Sequence, residues 1–144
     1  MLKGIDALLS PELLKVLCEM GHGDEVVVVD ANFTAASLGR GKPLLRLPGS
    51  GLARACAAVL SVFPLDQAVP RPVAYMQVSD TADGYASAVQ RAVMALLPPG
   101  QCEAVERFAF YERVRKAYAI VQTGEMQPYA NFIFKKGVIA DALA

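Results

Sequence analysis

Glu25-Val26-Val27-Val28-Val29-Asp30 is the stretch that decides the fold. Four β-branched residues in a row leave no polar face, so the run predicts a strand buried on both sides. Such strands belong to α/β sheets covered by helices. Just upstream, Ser10-Pro11-Glu12 carries the start signals of a helix: a Ser cap, Pro at the first helical position and an acid in the first turn. Leu13, Val16, Leu17 and Met20 then recur at helical spacing, and Gly21 predicts a left-handed C-cap. Downstream, 35–49 is rich in Gly, Arg and Pro and reads as a loop. A helical pattern over 50–63 stops at Pro64, and a strand is predicted over 73–78. A helix over 83–97 ends at Pro98-Pro99-Gly100, and another spans 107–117. Two apolar strands, 118–123 and 131–134, flank the turn-like Gly124-Glu125-Met126-Gln127-Pro128. Alternating helices and buried strands without repeat or linker predict an α/β fold, one three-layer domain over residues 1–144.

Composition narrows the function classes. Of 144 residues, 54% are apolar and 19% charged, with mean hydropathy +0.34. Average domains run at about 45–50% apolar and about 25% charged. This chain is too apolar to be disordered, and no apolar stretch approaches the roughly 20 residues of a membrane-crossing helix. The apolar surplus in a small domain suggests burial between subunits. Fourteen basic residues balance fourteen acidic ones. The short clusters Arg40/Lys42/Arg46 and Arg113/Arg115/Lys116 do not make the basic face that nucleic acid requires. Cys18, Cys56 and Cys102 are widely spaced, with no Cys-x-x-Cys pair. Reduced thiols and the lack of a leader signature give a cytoplasmic expectation, with Cys18 and Cys56 as packing residues.

His22 is the only histidine, flanked by Gly21 and Gly23 on a loop entering the buried strand. Such a residue is either a solvated loop side chain or a group titrating near neutral pH beside a ligand. Asp30 closes the same strand, where open α/β sheets bind ligands, although an ordinary turn carboxylate is equally compatible with that position. No neighbouring His or Cys completes a metal set. Gly39-Arg40-Gly41-Lys42 lacks the upstream Gly of a P-loop and has Pro43 in place of Ser or Thr, so nucleotide cofactors are unsupported. Arg107-Phe108-Ala109-Phe110-Tyr111-Glu112-Arg113 and Tyr129-Ala130-Asn131 offer donors, acceptors and aromatic faces that suit sugar hydroxyls and C–H surfaces. Tyr111 as core and Arg107 as a surface cation are the plainer readings.

Several segments resemble the L-fucose mutarotase and D-ribose pyranase family: Leu8-Leu9-Ser10-Pro11-Glu12-Leu13-Leu14, Met20-Gly21-His22-Gly23-Asp24-Glu25, Asp30-Ala31-Asn32-Phe33 and 107–113. Ala119-Ile120-Val121-Gln122-Thr123-Gly124-Glu125, Tyr129-Ala130-Asn131 and Lys136-Gly137-Val138 extend the match, while roughly 35–100 agrees only in element pattern. Arg107 favours the fucose branch, because ribose-type members typically have His there. Thr34 stands where fucose-type members commonly have Pro, which bears on sugar preference. The resemblance implies an RbsD-like α/β/α sandwich assembling into a homo-oligomeric ring, commonly a decamer, with sites near subunit contacts. It implies interconversion of the anomers of a free monosaccharide without cofactor or metal. It assigns His22 as catalytic acid and Asp30, Arg107, Tyr129 and Asn131 as sugar-binding residues. Pyranose–furanose interconversion of ribose, or sugar binding without catalysis, are the alternatives.

Overall fold

The computed structural model describes residues 1–143. A six-stranded mixed sheet, in the order β2-β5-β1-β6-β3-β4, carries five helices. The strands are β1 (Glu25–Val29), β2 (Leu44–Leu47), β3 (Val73–Met76), β4 (Cys102–Val105), β5 (Ala119–Thr123) and β6 (Phe132–Lys135). The helices are α1 (Pro11–Glu19), α2 (Ala35–Leu38), α3 (Leu52–Leu60), α4 (Ala88–Met94) and α5 (Arg107–Lys116). All strands run parallel except β6, which is antiparallel to both β1 and β3.

The valine run behaves as its chemistry dictates. Side chains alternate across a strand, so Val26 and Val28 enter the core beneath α1 and α3, while Val27 and Val29 enter the core beneath α2 and α5. Residues 26–29 are wholly buried, and the three-layer sandwich follows. Ser10 caps α1 by accepting the Leu13 amide, with Pro11 opening the helix.

Several local expectations change. Gly21 is not left-handed: Met20 ends α1 in an extended conformation, and the turn into β1 is made by Gly23 at φ +87°. Segment 35–49 is not simply loop, because it holds α2 and β2. β2 and β4 are the two edge strands, and each is only half-buried. Edge strands lack the continuous apolar run that marks a central one. α4 is shorter than 83–97, starting only at the Ser87 cap. Cys56 is buried as expected, whereas Cys18 is exposed. Lys42 and Arg113 do not form basic surface: Lys42 donates to carbonyls ending α5, and Arg113 pairs with Glu25 and Glu103.

After β1 the chain leaves through α2 to β2 at one edge, then returns through α3 to β3 on the other half of the sheet. That reversal opens the crevice where ligands of open α/β sheets bind, outside the carboxyl ends of the strands. Because β6 runs backwards, its first residues enter the crevice too.

Candidate active site

A cleft of about 450 Å³ lies at this crevice. Asp30 follows β1, Met76 ends β3, Arg107 and Tyr111 come from the start of α5, and Tyr129 and Asn131 lead into β6. The cleft therefore gathers all four residues expected to bind sugar: Asp30, Arg107, Tyr129 and Asn131.

Asp30 and Asn131 form the buried floor, 4% and 2% exposed. The Asp30 amide donates to Asn131 Oδ1 at 2.9 Å, and Asp30 Oδ1 accepts the Asn32 amide at 2.9 Å. Burial raises the Asp30 carboxyl above the usual carboxylate range, opposed by hydrogen bonds from Asn32 and other neighbours. The loop after β1 is pinned from β5: Gln122 Nε2 donates to the carbonyls of Ala31 and Phe33, and Thr123 Oγ1 donates to that of Val29. Gly124 follows, where any Cβ would stand 2.0 Å from the Pro48 carbonyl oxygen, so only glycine fits.

Arg107 and Tyr111 make the wall. Glu106 caps α5 by accepting the amides of Phe108 and Ala109. One helical turn then brings Arg107 Nε to 2.9 Å from the Tyr111 hydroxyl, with the guanidinium over the Phe108 and Tyr111 rings. Tyr111 meets Phe33 edge-on at 5.7 Å. Its i,i+4 spacing from Arg107 was the available signal that it faces the cleft, where the plainer reading had placed it in the core.

His22 is elsewhere. It precedes β1, and the five residues of that strand at ~3.3 Å each put roughly 16 Å between its loop and Asp30. Gly23 and Asp66 donate their amides to the carbonyls of Lys136 and Lys135, at the far end of β6 from Asn131. There His22 Nε2 lies 3.0 Å from Asp66 Oδ1. The His22 side chain is half-exposed and Asp66 is buried. The Ala68 amide, then His22, hold the Asp66 carboxyl below its usual range. Asp66 is 44 residues from His22 in sequence, and no local pattern connects them. Among the described residues, no three His, Cys, Asp or Glu side chains gather as a metal ion would require.

A carboxylate, an amide, a guanidinium and phenols converging at a strand-end crevice define a class: α/β proteins built to hold a small, many-hydroxyl ligand. The chain belongs to the RbsD / FucU transport protein family, whose model matches residues 3–139. It is 46% identical to a fucose mutarotase of Bos taurus and 47% identical to an L-fucose mutarotase of Actinobacillus pleuropneumoniae, covering 96% of this chain and 95% and 97% of theirs. The crystal structure of the fucose mutarotase in complex with L-fucose from Streptococcus pneumoniae matches with TM-score 0.87 at 38% identity, over 96% of this chain and all of that one. Bacillus subtilis RbsD complexed with D-ribose shares the fold, with TM-score 0.77 at 22% identity over 97% of this chain and all of that one.

Proposed function

We propose that this chain is an L-fucose mutarotase, an isomerase that exchanges the α and β anomers of free L-fucose. The observation that carries the reading is the convergence of Asp30, Arg107, Tyr111, Tyr129 and Asn131 on one cleft. Near-full-length similarity to proteins named for that activity supports it.

The reaction opens the hemiacetal: the anomeric hydroxyl loses its proton, the ring oxygen gains one, and the bond between the anomeric carbon and the ring oxygen breaks. Rotation about the first carbon–carbon bond and reclosure on the other carbonyl face reverse both transfers. His22 is the acid–base group, since imidazole serves in both directions near neutral pH. Asp66, a carboxylate acceptor, takes the hydrogen bond of His22 Nε2–H, so Nδ1 is the ring nitrogen left for proton transfer. Asp30, its carboxyl raised by burial, is suited to the second proton. Arg107, Tyr129 and Asn131 hold the remaining hydroxyls.

Within one chain His22 does not reach this cleft, so the working site pairs the cleft of one subunit with His22 of the next. A homo-oligomeric ring, decameric as the family resemblance implies, provides that arrangement. Exposed Leu2, Phe108, Met126, Val138 and Ile139 supply apolar contact surface for it. The three free thiols suit a reducing cytoplasm.

Saturation-transfer NMR across L-fucose, D-ribose and related reducing sugars tests the reading. Wild type accelerates fucose anomer exchange, and His22→Ala falls to the uncatalysed rate with its assembly intact. Faster ribose than fucose exchange would make the chain a pyranase, and sugar binding with no acceleration would make it a binding accessory.

A further inference from the structure

Gln90 is wholly buried, yet it lies in the first turn of α4, behind the cleft rather than in it. A buried amide is tolerable only when its polar atoms find partners. Gln90 Oε1 accepts the Ser87 amide at 2.9 Å, and Ser87 Oγ accepts the Gln90 amide, closing a capping box. That box needs only the acceptor. The Nε2 atom does something else: it donates to the Met76 carbonyl at 2.8 Å and to the Tyr129 carbonyl at 2.9 Å. Both of those residues line the cleft.

Tyr129 has φ +62°, a left-handed conformation that a residue bearing a Cβ adopts at a cost. Such a conformation persists where its surroundings over-determine it, and does so most often at ligand sites. Here its carbonyl accepts from Gln90 Nε2 and also from the Asn131 amide at 2.9 Å. Met76 in turn donates its amide to the Asn131 carbonyl. One side-chain amide thus ties the end of β3 to the strained residue that opens β6.

We propose that Gln90 is a positioning residue for the sugar cleft, holding Tyr129 in its left-handed conformation against Met76 so that Tyr129 and Asn131 are set before sugar arrives. The inference rests on the sugar-binding reading of the cleft. Of the acyclic side chains this long, only Gln offers an acceptor to the helix cap and two donors to the carbonyls at once.

The test measures L-fucose affinity and exchange kinetics in wild type, Gln90→Met, Tyr129→Gly and the double variant, with Ser87→Ala as control. Gln90→Met raises KM about tenfold with kcat within about twofold, the signature of lost ground-state positioning. Ser87→Ala lowers stability through the cap and leaves KM within about twofold. In the Tyr129→Gly background, where φ +62° needs no support, Gln90→Met changes KM by less than about twofold. If Gln90→Met does not fold, Gln90→Glu keeps the acceptor toward Ser87, loses the paired donors and shows the same rise in KM. An unchanged KM in Gln90→Met, or an equal rise with and without Tyr129, overturns the inference alone. Wild type that neither binds nor exchanges L-fucose overturns the sugar-site reading and the inference together.

Discussion

Asp30 is a carboxylate on which burial and hydrogen bonding pull in opposite directions. Its pKa is raised in the folded protein, so folding favours the protonated form, and the stability it contributes at low pH declines as pH rises through that raised value. Asp30→Asn keeps an oxygen for the Asn32 amide and removes the charge. Its melting temperature relative to wild type should therefore improve progressively as pH rises above about 4, the ordinary carboxylate value, while fucose affinity falls. A melting difference that moves the other way with pH would contradict the desolvation account. Position in the sequence made Asp30 and His22 legible, one after a buried strand and one between glycines before it. Asp66 was not legible, because the carboxylate that orients His22 arrives from a loop 44 residues away. Tyr129 and Asn131 were readable as polar residues opening a strand, but the left-handed backbone at Tyr129 was not.

At the scale of elements, continuous burial decided which parts of the chain could be read. β1, β3 and β5 announce themselves because nearly every residue in them is covered. β2 and β4 escape because, at the sheet edges, three of the four residues in each are only partly buried and one is exposed, which leaves a mixed pattern. Lys42, in a segment that reads as loop, fastens two elements together. Its Nζ donates to the carbonyls of Val114, Arg115 and Ala117 at 2.7, 2.8 and 2.7 Å, closing the C-terminal end of α5 before β5. Burial also lowers the Lys42 pKa, so the gain is less than three full charge-assisted bonds. Lys42→Met keeps the apolar stem and orphans those carbonyls. It should cost about 2 kcal/mol, read as a lower urea midpoint at unchanged m-value. Because α5 carries Arg107 and Tyr111, the same variant should weaken fucose binding.

The whole molecule divides the proposed chemistry between two ends of one sheet, and this makes assembly testable through function. His22→Ala and Arg107→Ala are each expected to be impaired alone. When dissociated, mixed in equal amounts and reassembled, a ring whose sites combine His22 of one subunit with the cleft of another should recover about a quarter of wild-type sites. Sites contained within single subunits would recover none, and exchange NMR on the mixture distinguishes the two. Dilution to monomers should likewise abolish activity. The sequence by itself determined the layered α/β architecture, because Val26–Val29 can be satisfied only by apolar partners on both faces. Through its spaced motifs it also pointed to four polar residues that the structure gathers in one cleft. Tertiary structure alone decided that β6 runs against its neighbours, bringing Tyr129 and Asn131 beside Asp30, and that His22 stands at the opposite end with Asp66. The physical reason is range. Burial and helix capping act between residues a few positions apart and leave a periodic imprint, whereas strand direction, buried amide bonds and the reach of a histidine depend on which distant segments meet.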